Sequence, residues 1–227
     1  MTILAIDTAT SNCSVALADR QGTIAELNYS GKQTHAKHLA TMVDRLLKRA
    51  DMTLAKVTAF AVDAGPGTFT GLRIGMAAVK GLAAATGKPA VGISSLDALA
   101  NQVTHGSGQV CCMLDARRGE VYAARYTIRE GEIAKRTAEE VLAPQSAVAP
   151  LDSPCLFIGS GAVVYRDIIA DQGGKHALFV PGDENHIRAA SIARLGLQKL
   201  AAGDSGHTRE LVPNYIRRSD AEYNKMR

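Results

Sequence analysis

The sequence predicts an α/β protein of duplicated architecture: two domains, each a mixed sheet flanked by helices, over residues 1–104 and 105–227. Three observations point there. Each half opens with a strand meander and continues with helices alternating with strands. In each half a continuous apolar run of strand length ends in glycine, VTAFAVDAG in the first and PCLFIGSG in the second, as a strand buried on both faces should read. Between them lies THGSGQ, Thr104 to Gln109, whose polar, glycine-containing composition suits a boundary. No residue-level repeat accompanies the pattern, so the duplication is one of architecture.

In ILAIDTATSNCSVALADRQGTIAELNYSG, the apolar runs Ile3–Ile6, Ser14–Leu17 and Ile24–Leu27 are separated by turn-rich DTATSN and ADRQG, which predicts an antiparallel meander. THAKHLATMVDRLLKRADM places Leu39, Met42, Val43, Leu46, Leu47 and Ala50 on one helical stripe, with Thr34 as its N-cap. After the strand VTAFAVDAG comes a glycine loop and then the helix LRIGMAAVKGLAAATG, stopped by Gly87 with Pro89 beyond. PAVGIS is a strand and SLDALANQV a helix. In the second half VCCMLDA, EVYAARYTI and EIAKRTAEEVL form the meander, PCLFIGSG the buried strand, and GAVVYRDIIADQ and HIRAASIARLGLQKLAAG two helices. The last helix and the tail are placed to fold back on the first domain.

Composition excludes several classes. An apolar share of 46% over 227 residues suffices for a core and rules out general disorder. Cys13, Cys111, Cys112 and Cys155 form no C-x-x-C pair, so neither a disulfide framework nor a zinc ribbon is indicated. The apolar start TILAI is too short for a signal segment, and no run approaches the roughly 18 residues of a membrane span. The expectation is a cytoplasmic chain with no membrane partner. The net charge of +4 is dispersed, and tryptophan is absent, which argues against a base-stacking platform.

The stretch AGPGTFTGLRIG, Ala64 to Gly75, resembles a phosphate loop. Gly65 and Gly67 permit positive φ or close approach, Thr68 or Thr70 can cap the helix, and a helix start attracts anions. A Walker loop ends in Gly-Lys-Ser/Thr, whereas Leu72 and Arg73 follow Gly71 here. A tight strand-to-helix connection without ligand explains the glycines equally well. Asp7, with Thr8, Thr10 and Ser11, either holds a hydrated magnesium and a phosphate or bonds its own backbone, the commoner use of Asp at a strand end. His35 and His38 lack the further ligands of a zinc site and read as solvated or partner-facing. DARRGEVYAARY brings Asp115, Arg117, Arg118 and Glu120 to one hairpin tip, either solvated or a cleft edge. In the tail, Arg209, Arg217, Arg218, Lys225 and Arg227 face Glu210, Asp220 and Glu222, a mixture that reads as solvated.

Together ILAIDTATSNCSVAL, THAKHLATMVDRLL, AGPGTFTGLRIGMAAVKGLA, LDARRGEVYAARY and PNYIRR are similar to the bacterial TsaB (YeaZ) family, relatives of the sugar kinase, Hsp70 and actin fold. The similarity runs from Met1 to about Arg218. The resemblance implies two actin-like (ribonuclease H-like) domains and a part in making threonylcarbamoyladenosine, beside the anticodon of tRNAs reading ANN codons. In that system TsaC makes threonylcarbamoyl-AMP and TsaD transfers the group to adenosine; TsaB is TsaD's non-catalytic partner, and the ATPase TsaE joins them. It also implies a homodimer when TsaD is absent, tRNA met through the complex, no cofactor of the chain's own, and ATP or ADP at an interface with TsaE.

Two departures from the catalytic relatives bear on that. Their H-x-x-x-H metal pair falls on GKPAVGISSLDALA, which has Ser94 and Ser95 and no histidine. Where their phosphate loop has a glycine two residues after the aspartate, this chain has Ala9, at a cost of roughly 1–2 kcal/mol if positive φ is needed. Asp7, Thr8, Thr10, Gly65, Gly67 and Asp115 are then a remnant of a nucleotide or phosphate site. His35, His38, Met42, Arg73, Met76 and Leu82 belong to the association surface of the first two helices. Two other readings of the same fold stay open, a glycoprotease-like metalloenzyme and an ATP-dependent small-molecule kinase with Asp7 or Asp115 as base.

Overall fold

A computed structural model describes residues 1–31, 34–103, 107–148 and 150–217. Every residue of the first strand, β1 (Ile3–Asp7), is buried, which marks it as central. With β2 (Asn12–Asp19), β3 (Gly22–Ser30), β4 (Ala59–Gly65) and β5 (Ala90–Ser94) it forms a sheet in the order β3-β2-β1-β4-β5. The β1–β2 and β2–β3 pairs are antiparallel; β1–β4 and β4–β5 are parallel. Successive side chains leave by opposite faces. Leu4, Ile6, Val15, Phe60 and Val62 meet Leu39, Met42 and Leu46 of α1 (Leu39–Arg49) and Met76 and Val79 of α2 (Phe69–Thr86). The short α3 (Ser95–Ala100) follows β5 directly.

The second unit repeats the scheme. Its strands β6 (Gly108–Arg117), β7 (Glu120–Arg129), β8 (Glu132–Arg136), β9 (Glu140–Leu142), β10 (Cys155–Ile158) and β11 (Ala177–Phe179) give the order β11-β10-β6-β7-β8, with β9 also on β7. Again the first strand is central, with two successive antiparallel pairings on one side and two successive parallel pairings on the other. Helices α4 (Pro144–Val148), α5 (Ser160–Val164) and α6 (Arg166–Gly173) cover a core of Cys111, Met113, Val121, Phe157 and Ile169. The fold class expected from the sequence is therefore the one observed. Among the described residues no helix is long and apolar enough to cross a membrane.

By contacts the chain divides into Met1–Ala98 with Ile187–Asn214, and Leu99–His186 with Tyr215–Arg227, the latter described to residue 217. The first crossing lies at 98/99, whereas the sequence placed its one boundary at 104/105, where residues 104–106 are outside those described. The last helix, α7 (Ala189–Ala201), belongs to the first unit, where it packs on β1, β2, β4 and β5.

Several elements differ in detail from the reading of the sequence. Thr34 makes no side-chain cap; it precedes a 3-10 turn, His35–Lys37, and α1 begins only at Leu39. GAVVYRDIIADQ is two helices, because Tyr165 leaves helical geometry at φ −108 and ψ 24. EIAKRTAEEVL is two strands, and the three-residue β11 had no sequence signal, being too short to show a period.

Helix α7 has no side-chain cap of its own and takes one from the sheet. Ala189 N donates to Ser14 Oγ (2.9 Å), Ala190 N to Glu26 Oε1 (3.0 Å) and Arg188 Nε to Glu26 Oε2 (2.9 Å). A carboxylate held against free N–H groups and the positive end of a helix is favourable. Glu26, whose side chain is 6% exposed, is thus the anchor of α7. Glu26→Ala is expected to lower the unfolding free energy by about 2–3 kcal/mol in urea titrations. Arg188→Ala should cost less than about 1 kcal/mol, since that guanidinium is 57% exposed. The reverse ranking would remove the cap from the account.

Candidate functional site

The parallel register of β1 on β4 aligns Ile6 with Val62, so the next residues, Asp7 and Asp63, lie side by side at the C-terminal ends of the two central strands. Both are buried, at 0% and 1% exposure. Asp7 Oδ1 accepts from Ala9 N (2.8 Å); Asp63 Oδ1 accepts from Gly65 N (2.8 Å) and from the Ser95 hydroxyl. Two carboxyl groups buried this close favour one proton shared between them over two charges. Burial, and after it the Asp63 charge, holds the Asp7 carboxyl well above the usual carboxylate range. Burial, and secondarily Asp7, pushes the Cys13 thiol up to about 12. Asp63 was not among the residues singled out in the sequence. Its signal there was the one that exposed Asp7, a carboxylate ending an all-apolar strand.

The glycine loop closes over this pair. Gly65 has φ +108, and Thr68 caps α2 by accepting from Gly71 N (3.2 Å). Thr68 N donates to Ala9 O (2.7 Å), and the Thr8 hydroxyl donates to Gly71 O (2.7 Å). A side chain at Gly67 would put its Cβ 2.6 Å from Ala9 O, and one at Gly71 would overlap Thr8 O. The two glycines are therefore accounted for by the approach of residues 8 and 9. Ala9 is not among the left-handed residues, so the strain attached to its replacing a glycine does not arise. Thr10 offers its carbonyl to His35 Nε2 (2.7 Å) and its hydroxyl to Asn12 N (3.3 Å).

The residues expected on an association surface divide. His35 is buried against Thr10, and His38 is half-buried with its ring 4.5 Å from that of Tyr29. Met42 and Met76 point into the core between helices and sheet, and Leu82 packs half-buried on the same core. Arg73 is exposed, its guanidinium 3.8 Å above the Phe69 ring. The outer faces are carried by Thr41, Arg45 and Lys48 of α1 and by Thr70, Arg73 and Ala77 of α2.

In the second unit Asp115 has partners of its own. Its Oδ1 accepts from Arg117 N (2.9 Å), its own N–H donates to Ser160 Oγ (3.1 Å), and it bonds the Tyr165 hydroxyl. Loss of water, and then the Asp115 carboxylate, raises that phenol above its usual value. The hairpin tip beyond it holds Arg117, Arg118 and Gly119 at φ +64, +56 and +76. For the two arginines the left-handed region costs about 1–2 kcal/mol each. His105, Arg218, Asp220, Glu222, Lys225 and Arg227 lie outside the described residues.

The segment on which the resemblance places a metal pair has other work. Ser94 Oγ accepts from Leu96 N (3.1 Å) and Asp97 N (3.2 Å), starting α3, and the Ser95 hydroxyl serves Asp63. Serine hydroxyls so used do not fit a metal.

Two units of one topology, each with a central first strand and a glycine turn after its inner parallel strand, make this a tandem actin-type α/β protein. The family described as tRNA N6-adenosine threonylcarbamoyltransferase (TsaD) matches residues 23–225. The tRNA threonylcarbamoyladenosine biosynthesis protein TsaB of Bacillus subtilis is 33% identical over 98% of this chain and 96% of its own length. That of Haemophilus influenzae is 35% identical over 96% and 94%. A solved Pseudomonas aeruginosa protein described as similar to peptidase YeaZ superposes with a TM-score of 0.83 at 32% identity, covering 95% of this chain and 99% of that one. The chain belongs to the TsaB (YeaZ) family, within the wider TsaD-related group.

Gly71→Ala should cost about 3 kcal/mol by forcing Thr8 away. Gly81→Ala, on the same helix with nothing within 4 Å of the new Cβ, should gain about 0.5–1 kcal/mol. Equal effects in urea unfolding would show that the loop tolerates a side chain. The carboxyl pair sets a pH dependence. The folded state keeps a proton that the unfolded chain releases above about pH 4, so stability falls as pH rises toward the pair's folded titration. Asp7→Asn, which has no proton to lose, should therefore gain on the wild type as the pH rises above about 4. A stability difference that does not change with pH would mean that the pair is not protonated in the fold.

Proposed function

We propose that this chain serves the biosynthesis of threonylcarbamoyladenosine in tRNA as a non-catalytic partner of the transferase TsaD. The observation that carries the reading is the use of Ser94 and Ser95. At the place where catalytic relatives hold their metal, one hydroxyl caps a helix and the other satisfies a buried carboxyl. Full-length likeness to proteins named for this pathway supports the pathway itself.

On this reading the outward faces of α1 and α2, with Arg73 at their edge, are the association surface. That surface meets TsaD, or a second copy when TsaD is absent. TsaE joins the pair with ATP or ADP at its interface, tRNA is met through the complex, and the setting is the cytoplasm. The small-molecule kinase is the weaker reading, because the loop glycines that would approach a phosphate already carry the backbone of residues 8 and 9.

Sedimentation of the chain with and without TsaD of the same organism, paired with a threonylcarbamoyl transfer assay, tests the proposal. A heterodimer, transfer that depends on it, and no transfer by the chain alone are expected. Full transfer by TsaD without this chain would overturn it.

A further inference from the structure

The hairpin between β6 and β7 is held from outside itself. The register slips between Asp115 and Arg117, which takes Ala116 out of the regular ladder. The Ala116 carbonyl then accepts from Arg217 Nη1 (2.9 Å), and the same nitrogen lies 3.1 Å from Glu120 Oε2 on the opposite strand. Arg217 is 15% exposed at its side chain, whereas the Arg117 side chain at the tip is 79% exposed, with its Nη1 3.5 Å from Asp115 Oδ2. One cation thus ties the two strands of the hairpin together just below three consecutive left-handed residues. Backbone in that region persists only where its surroundings over-determine it. Asp115 Oδ1 on Arg117 N supplies one restraint from within, and Arg217 supplies the other from the C-terminal segment.

Asn-Gly or Asp-Gly makes a two-residue tip of this hand at little strain, yet this tip has arginine followed by glycine and a further left-handed arginine before it. The arrangement fixes the backbone from which the exposed Arg117 side chain projects; its Nη1 lies 3.5 Å from Asp115 Oδ2, and its remaining N–H groups are the ones that can meet a further carboxylate.

We propose that Arg217 is a positioning residue that presets the Arg117–Glu120 tip as a docking element for an acidic surface of the partner protein. This rests on the partner reading given above. It adds a second contact, in the second unit, to the helical surface of the first. It also makes the C-terminal segment a determinant of association.

The test uses the full chain and two readouts. Hydrogen exchange of the amides from Arg117 to Val121 reports the clamp, and a titration of the chain into the TsaD transfer assay reports docking. Arg217→Ala should speed exchange at the tip roughly tenfold, the effect of losing one charge-assisted bond. It should raise the half-saturating concentration of the chain by a similar factor with the maximal rate unchanged. Arg217→Lys, with the charge but not the planar fork, should fall between. Arg117→Glu should raise the half-saturating concentration without changing exchange below the tip. Unchanged exchange in Arg217→Ala overturns the clamp. Faster exchange with unchanged half-saturation makes the clamp structural only and overturns the docking role. If Arg117→Glu weakens tRNA binding and leaves the TsaD titration unchanged, the tip faces nucleic acid and the proposal also fails. Should wild-type chain fail to stimulate TsaD at all, the partner reading falls and the docking role with it, while the exchange comparison still decides the clamp.

Discussion

Two backbones touch where β1 turns toward β2 and where β4 turns into α2, and the first unit is arranged around that contact. Thr68 N on Ala9 O and the Thr8 hydroxyl on Gly71 O close it, and the missing side chains at Gly67 and Gly71 make room for it. With the start of α2 fixed on β1, the helix crosses the sheet so that Met76 and Val79 fall on Leu4, Ile6 and Val62, and α1 completes the layer with Met42 and Leu46. Asp7 and Asp63 lie buried in the strands that lead to this contact, each accepting the amide two residues on. Burying two charged carboxylates at adjacent positions would be prohibitive; a shared proton leaves one charge, to which Ala9 N, Gly65 N and Ser95 donate.

The second unit meets the same geometry with different chemistry. Cβ atoms at Gly159 and Gly161 would strike the backbone of Met113 and Leu114, as those of Gly67 and Gly71 would strike Thr8 and Ala9. Register aligns Cys112 with Ile158, so the counterparts of Asp7 and Asp63 are Met113 and Gly159. No carboxyl stands at either, and the Gly159 amide is satisfied by Asn185 Oδ1 (2.9 Å). Asp115 lies two residues further along β6 and serves the hairpin. The likeness between Asp7 and Asp115 in the sequence, each a carboxylate closing an apolar run, is therefore one of pattern and not of place.

What could be read from the sequence was whatever one segment determines by itself. The all-apolar runs became central strands, Gly87 became the left-handed end of α2 at φ +67, and Thr68 became its cap. What escaped depends on partners distant in the chain. Glu26, on the edge strand β3, has its role set by Arg188, 162 residues later, and by the start of α7. Asp63 gains its meaning from Asp7 across a parallel pair, and parallel register leaves no local mark. Met42 and Met76 are equally compatible with core and with an exposed apolar face; the sheet to which their helices dock decides for the core.

In open α/β sheets ligands gather beyond the C-terminal ends of the strands, where the loops leave room. In the first unit of this chain that room, at β1 and β4, is taken by the chain's own backbone and by the buried carboxyl pair. In the second, β6 runs on past its parallel partner into a hairpin that carries its charge on exposed arginine rather than in a pocket. The first unit thus fills its strand ends, and the second carries exposed charge on a hairpin whose two strands Arg217 joins. Surface charge on a rigid support suits recognition of another macromolecule better than chemistry on a small one, because recognition needs preset geometry and not exclusion of water.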